Sequence, residues 1–138
     1  MQTYTTKTNH LTVPEYQSLR NTTLWKSLPD HQVKRALSND LYSVSVYEED
    51  TLIGMGRVIG DGAIYFYIQD VIVRPEYKGK GIGRLIMQNI EQYLIRRFET
   101  YAFVGLMAAE DSQGFYQKLG YYKRKDSSPG MYKIFEEQ

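Results

Sequence analysis

The sequence predicts an α+β (mixed α/β) domain in which helices flank a central, mostly antiparallel sheet, in the order ααβββαβαββ. Three observations predict it. Short segments of helical period open the chain. Near residue 42 the period switches to two, and three strand-like runs follow with only tight turns between them. A long amphipathic segment beginning at Ile82 then separates these runs from shorter elements.

Each element has a local reason. Thr12-Val13-Pro14-Glu15 reads as a helix start, with Thr12 as cap, Glu15 reaching back as in a capping box and proline in the first turn. Tyr16 and Leu19 supply its apolar edge. Ser27-Leu28-Pro29-Asp30 reads as a second start, followed by Val33, Ala36 and Leu37. Tyr42, Val44 and Val46 alternate with Ser43 and Ser45, a strand signal, and Glu48-Glu49-Asp50 is a polar turn. Leu52 to Ile59 is a second strand, and Asp61-Gly62 signals a tight hairpin. The run Ala63 to Val73 is long for one strand, which predicts a bulge within it.

After the loop Arg74-Pro75-Glu76-Tyr77 comes Lys78-Gly79-Lys80-Gly81-Ile82-Gly83-Arg84 and the most regular helix of the chain. Ile82, Leu85, Ile86, Ile90, Tyr93 and Leu94 line one face, while Arg84, Gln88, Glu91, Gln92 and Arg96 line the other. Ala102 to Met107 is a short strand. Ser112 opens a brief helix that carries Phe115, Tyr116 and Leu119 and stops at Gly120. Tyr121 to Lys125 and Met131 to Phe135 read as terminal strands around the turn Ser128-Pro129-Gly130.

Composition narrows the function. The 138 residues fit one domain, 1–138, and no repeat, low-complexity stretch or linker divides them. Lysine and arginine number 17 against 16 acids, and a net charge of +1 argues against a dedicated nucleic-acid binder. Zero cysteine excludes a disulfide scaffold, a thiolate metal site and a cysteine nucleophile, and two histidines make a poor metal site. No run approaches the ~18 apolar residues of a membrane span, and the N-terminus lacks a signal-peptide core, so the expectation is a cytoplasmic protein without membrane or metal.

The glycine-rich turn carries the chemistry. The first turn of a helix offers unpaired N–H groups and a partial positive charge, and glycines let a phosphate approach them closely. Lys78, Lys80 and Arg84 add charge at the same place. The spacing matches neither the P-loop nor the dinucleotide fingerprint, because Arg84 and Ile86 stand where that fingerprint needs its last glycine. The residues alone leave two readings: a phosphate cradle, or a glycine turn flanked by solvated lysines.

Taken with Phe115-Tyr116-Gln117-Lys118-Leu119-Gly120-Tyr121, the turn resembles the GNAT superfamily of acetyl-CoA-dependent N-acetyltransferases. That family's central motif, [Q/R]-x-x-G-x-[G/A], is matched by Lys78-Gly79-Lys80-Gly81-Ile82-Gly83, with lysine in the first place. Gln69 to Tyr77 looks like the family's fourth strand and exit loop, and Phe115 to Tyr121 like its F-Y-x-K-x-G-F segment. The element order agrees over nearly the whole chain.

The resemblance implies acetyl-CoA as co-substrate. Its pyrophosphate would sit on the amides from Gly79 through Lys80, Gly81, Ile82 and Gly83 to Arg84. Its pantetheine arm would lie along Val71, Ile72 and Val73, with Ser112 and Phe115 beyond it. The thioester carbonyl would lie at the strand bulge, where an N–H meets the developing oxyanion. The resemblance also implies direct attack by an amine, with Tyr116 protonating the leaving thiolate. Asp70, Glu110 and Asp111 are the acidic candidates for accepting the amine proton, although Asp70 also fits a residue that fixes strand or turn geometry and Glu110 and Asp111 fit solvent-exposed acids. Arg20 and Trp25, with Tyr16 and the Ser128 to Tyr132 turn, would line the acceptor side, although Trp25 also fits a core plug and Arg20 a surface residue.

The expected partner is thus a small-molecule or peptide amine, with the protein monomeric or homodimeric. A non-catalytic acyl-CoA sensor on the same fold is the alternative.

Overall fold

A computed structural model describes residues 3–137. The element order is β1 (Tyr4–Thr8), α1 (Val13–Arg20), α2 (Asp30–Leu37), β2 (Tyr42–Glu48), β3 (Thr51–Gly60), β4 (Tyr65–Val73), a 3-10 turn (Pro75–Tyr77), α3 (Ile82–Arg97), β5 (Phe103–Leu106) and α4 (Gln113–Lys118). They fall into two compact units, Met1–Leu106 and Met107–Gln138. No helix among the described residues is long and apolar enough to cross a membrane.

The first unit is built on a five-stranded sheet in the order β1-β2-β3-β4-β5. The first three pairings are antiparallel, and β5 joins β4 in parallel. One face carries α1 and α2. Tyr16, Leu19 and Val33 pack there with Tyr47, Leu52, Met55 and Ile72. The other face carries α3, brought close by two glycines. A Cβ on Gly56 would lie 2.6 Å from Ile86 Cγ2, and one on Gly54 would lie 2.9 Å from Ile82 Cγ2. Tyr93 of α3 stacks on Tyr42 at 4.7 Å and meets Phe66 edge-on at 6.5 Å.

Helices on both faces explain a departure from the sequence pattern. Ser43 and Ser45 alternate with apolar residues as though facing water, yet both are buried. Their small side chains fit under the α1–α2 layer. Met87 of α3, which the one-sided helical pattern omits, is buried as well.

The Thr12–Glu15 capping box forms as its residues require, with the Glu15 amide donating to Thr12 Oγ1 and the Thr12 amide donating to Glu15 Oε1. The Asp61-Gly62 hairpin forms too, but residues 61–64 make a loop rather than a two-residue turn. Asp61 Oδ1 accepts the amides of Ala63, Ile64 and Tyr65 at 2.8, 2.8 and 3.0 Å.

Two expectations about strands change. The chain opens with β1, an edge strand whose residues are mostly exposed and therefore show no apolar alternation. Tyr121 to Lys125 and Met131 to Phe135 form no strand among the described residues. Their alternating side chains have no buried face, since Tyr122, Met131, Tyr132, Ile134 and Phe135 are all exposed. The turn between these runs lies earlier than the expected Ser128-Pro129-Gly130: the Ser128 amide donates to Lys125 O and Arg124 Nε donates to Ser128 O at 2.7 Å, so the chain turns over 125–128.

Candidate functional site

β4 sets the geometry of the candidate site. Its pairing with β5 runs from Tyr65↔Phe103 to Ile68↔Leu106 and stops there. Residues 69–73 therefore have no sheet partner on that side among the described residues. On the other side the register jumps from Arg57↔Gln69 to Met55↔Ile72, so Asp70 and Val71 together oppose Gly56. This is the bulge that strand length predicts. Asp70 makes the kink with a left-handed backbone, φ +57°.

The bulge also reverses the strand's facing. Even-numbered residues of β4 are buried throughout. Before the kink, Phe66 meets Tyr93 of α3; after it, Ile72 packs with Tyr16 and Leu19 of α1. The carboxylate of Asp70 is thus turned into the α1–α2 layer.

A buried charge cluster receives it there. Arg57 Nη1 donates to Asp70 Oδ2 at 2.9 Å, Nε to Asp40 Oδ2 at 3.1 Å and Nη2 to Ala36 O at 3.1 Å. Tyr16 Oη donates to Asp70 Oδ2 at 2.9 Å, and Gln69 Nε2 to Oδ1 at 3.3 Å. Burial works against the Arg57 charge, but its two carboxylates outweigh that and hold its pKa above the ordinary value. Burial also raises the Asp40 carboxyl, only partly countered by Arg57. The Tyr16 phenol is pushed up by burial and by the neighbouring Asp70 charge.

Arg20 joins this cluster rather than standing apart as a surface residue. Its Nη1 donates to Tyr16 Oη at 3.1 Å and lies 3.9 Å from Asp70 Oδ1, and its Nε donates to Lys26 O. The guanidinium lies over the Trp25 ring at 5.5 Å. Trp25 is 40% exposed, so it is not the core plug that aromatic burial would suggest.

Beyond β4 the chain passes through the 3-10 turn into the glycine loop. Gly79 and Gly81 have φ +79° and +84°, and no atom lies within 4 Å of where either would carry a Cβ. Gly81 caps α3 without a side-chain bond. The first helical bond is Leu85 N–H to Gly81 O, which leaves the amides of Ile82, Gly83 and Arg84 for an outside acceptor. Lys78, Lys80 and Arg84 are exposed around them. Open space at two left-handed glycines, three unclaimed amides and three cations suit a pyrophosphate.

Ser112, Phe115 and Tyr116 belong to the second unit and gather at α4. Ser112 is the N-cap residue, but its hydroxyl donates back to Ala109 O at 2.7 Å instead of capping the helix. Phe115 and Tyr121 each meet the Tyr116 ring edge-on, at 5.0 and 6.1 Å. Tyr116 is buried, and burial holds its phenol above the usual range. Gly120, at φ +94°, ends α4. Glu110 and Asp111 are exposed. Among the described residues no group of three or more His, Asp or Glu is arranged to hold a metal.

The structure thus brings Asp70, Arg20 and Trp25 together and joins Val71–Val73 to the glycine loop. Arg57 and Asp40 are what the sequence reading missed. The available signal was a lone arginine in the apolar run from Leu52 to Ile59, since a charge in a buried strand needs a partner.

Comparison with known proteins gives a consistent picture. The profile of the acetyltransferase (GNAT) family matches residues 7–121. An uncharacterised N-acetyltransferase, ycf52, of Porphyra purpurea is 28% identical over 133 residues, covering 94% of this chain and 75% of its own. A crystal structure from methicillin-resistant Staphylococcus aureus, described as a probable acetyltransferase, superposes with a TM-score of 0.89 at 32% identity, over 96% of this chain and 100% of that one. A GNAT-family acetyltransferase from Streptococcus pneumoniae does so with a TM-score of 0.80 at 26% identity, over 98% and 100%.

Proposed function

The chain belongs to the GNAT family of acetyltransferases, and on that premise we propose that it transfers the acetyl group of acetyl-CoA to a primary amine of a small-molecule or peptide acceptor within a ternary complex. One observation carries the reading. β4 leaves β5 after Ile68, kinks at Asp70 and leads through the 3-10 turn into a loop whose left-handed glycines expose the first amides of α3.

In this reading the amides from Gly79 to Arg84, with Lys78 and Lys80, hold the pyrophosphate. The backbone of Val71, Ile72 and Val73 lies alongside the pantetheine as an added strand does, and Ser112 and Phe115 flank the arm. Acetyl-CoA supplies an activated acyl thioester. The acceptor nitrogen, directed from the Arg20 and Trp25 side, forms the new C–N bond as the C–S bond breaks. A bulge amide meets the charge developing on the carbonyl oxygen.

The Tyr116 phenol gives its proton to the departing sulfur. The proton shed by the amine leaves through solvent and restores the phenol. With no cysteine in the chain, a thioester on the enzyme has no place in this scheme. A phenol of pKa ~10 protonating a thiolate of conjugate-acid pKa ~8.5 goes uphill by about 2 kcal/mol. Burial of Tyr116 adds to that but keeps the proton in place until the thiolate forms.

The test is a calorimetric titration of acetyl-CoA into wild type and a Gly81→Glu variant, followed by thiol-release assays with polyamines, arylalkylamines, amino sugars and peptides. Micromolar binding lost in the variant, with thiol release for one amine class, supports the reading. Binding without release for any amine favours the sensor. A folded wild type that binds no acetyl-CoA overturns both.

A further inference from the structure

We propose that Arg57 is a positioning residue for acetyl transfer: through Asp70 it holds the left-handed kink of β4 and thereby aims the backbone amides of the bulge. The proposal rests on the acetyl-transfer reading above and extends it to a residue outside the glycine loop and α4.

Asp70 stands at φ +57° inside a strand, an uncommon conformation that aspartate tolerates better than most residues but that an extended strand does not itself favour. A strand needs no such residue to pair, and β4 is regular on either side of it. The surroundings that impose it are polar and come from three directions. Arg57 reaches across from β3, Tyr16 from α1, and Asp40 and the Ala36 carbonyl hold Arg57 from α2 and the segment after it. The side chains of Asp70, Arg57 and Asp40 are 2%, 7% and 10% exposed.

An apolar contact resists separation but tolerates rotation. Directional bonds to a short side chain resist rotation, because a turn of the backbone breaks them while leaving buried charge unpaired. Arg57 suits this task. Its planar fork satisfies Asp70, Asp40 and a carbonyl at once, which a lysine ammonium does not do in one plane. It also stands at the register position beside Gly56, where the pairing jumps.

Position makes the clamp bear on the reaction as well as on the fold. The kink falls two residues after Ile68, the last residue of β4 that β5 covers, so the amides it redirects lie along the open edge. The bonding of Asp70 also argues for holding and against proton transfer. Oδ2 already accepts from Arg57 and Tyr16, Oδ1 accepts from Gln69, and Arg20 stands 3.9 Å from Oδ1. The carboxylate therefore acts through the backbone, and the amine proton leaves by another route.

The decisive readout is the carbonyl stretch of acetyl-CoA carrying carbon-13 at the thioester carbon, measured by isotope-edited infrared spectroscopy on the protein-bound ligand. In wild type the band moves to lower wavenumber than in free acetyl-CoA, because a bulge amide polarises it. In Arg57→Met the affinity for acetyl-CoA stays within about threefold, the band returns toward its free position, and kcat falls about a hundredfold with little change in KM. Arg57→Lys restores part of the band shift.

Asp70→Asn provides a second line that does not depend on Arg57→Met folding. Asparagine tolerates the left-handed backbone and still accepts from Arg57. This variant keeps most of the band shift and loses less than about tenfold in turnover, well short of the loss of a general base. An unchanged band in a folded Arg57→Met, or abolished turnover with an intact band in Asp70→Asn, overturns the clamp while leaving acetyl transfer standing. So does a wild-type band that does not move on binding. A wild type that binds no acetyl-CoA overturns the acetyl-transfer reading, and the clamp's role in it falls with that.

Discussion

Arg57 donates to Asp70 across 2.9 Å, with both side chains nearly sealed from water. The pair crosses from β3 to β4 at the one place where their register jumps. Removing the cation takes the guanidinium from Asp40 and leaves the buried Asp70 only Tyr16, Gln69 and the Arg20 cation 3.9 Å away. Arg57→Met is therefore expected to lower unfolding stability by about 3–5 kcal/mol, the range for breaking a buried pair on one side. A domain in the upper part of the usual range of about 5–15 kcal/mol remains folded. Urea denaturation gives the number, and a loss below about 1 kcal/mol contradicts a desolvated pair, being what an exposed one costs.

What the sequence revealed follows physical locality. The capping box at Thr12 and the stop at Gly120 are decided within a few residues, and both were legible. So was the glycine loop, since a left-handed turn into a helix writes glycine into the sequence at Gly79 and Gly81. β1 was not legible because an exposed edge strand buries too little to imprint an apolar pattern. The terminal runs erred the other way: Met131, Tyr132, Ile134 and Phe135 alternate as a strand does, but pattern is evidence of pairing only where a partner buries one face. In β4 the length betrayed a bulge but not its consequence. A period of two continues unbroken across Asp70 while the face it describes changes from α3 to α1. The clamp needed Arg57, Asp70, Asp40 and Tyr16 from four separate stretches, and such long-range convergence leaves only single residues as traces.

Gly56 tests how closely α3 must sit on the sheet. A methyl there would lie 2.6 Å from Ile86 Cγ2 and 3.0 Å from Ile90 Cδ1, both on stiff β-branched side chains. Gly56→Ala is expected to cost about 1–3 kcal/mol by overpacking. It also weakens acetyl-CoA binding, because the displaced helix carries the glycine loop at its first turn. Gly79→Ala meets open space and loses only about 1–2 kcal/mol from its left-handed backbone. Thermal melts of the two variants separate crowding from backbone strain, and a Gly56→Ala protein as stable as wild type contradicts the close approach.

Asp61 makes the hairpin sensitive to pH in a definite direction. The amides of Ala63, Ile64 and Tyr65 hold its carboxyl below the ordinary 3.8. A carboxyl depressed on folding stabilises fully above its unfolded pKa and loses that contribution as pH falls through the folded one. Asp61→Asn keeps an acceptor oxygen but not the charge, so wild type is the more stable at neutral pH and its advantage shrinks as pH drops below about 3.8. Asp61→Ala loses acceptor and charge together and is the least stable at neutral pH. Parallel melting curves for wild type and Asp61→Asn from pH 7 to 3 would refute the linkage.

Tyr116→Phe separates binding from chemistry. The substitution removes one oxygen from a ring held edge-on between Phe115 and Tyr121 and leaves the ring contacts in place. Acetyl-CoA affinity should therefore hold, while turnover drops about a hundredfold, the lower end of what a positioned general acid supplies. Burial raises the phenol above its ordinary 10.0. An acid with a raised pKa stays protonated further up the pH scale, so loss of this proton does not limit turnover below pH 10. The wild-type rate accordingly shows no descending limb assignable to Tyr116 in the neutral range, and the Phe variant runs parallel beneath it. Equal turnover in the two proteins removes Tyr116 from the mechanism, whereas a drop accompanied by lost acetyl-CoA binding assigns it to the binding surface instead.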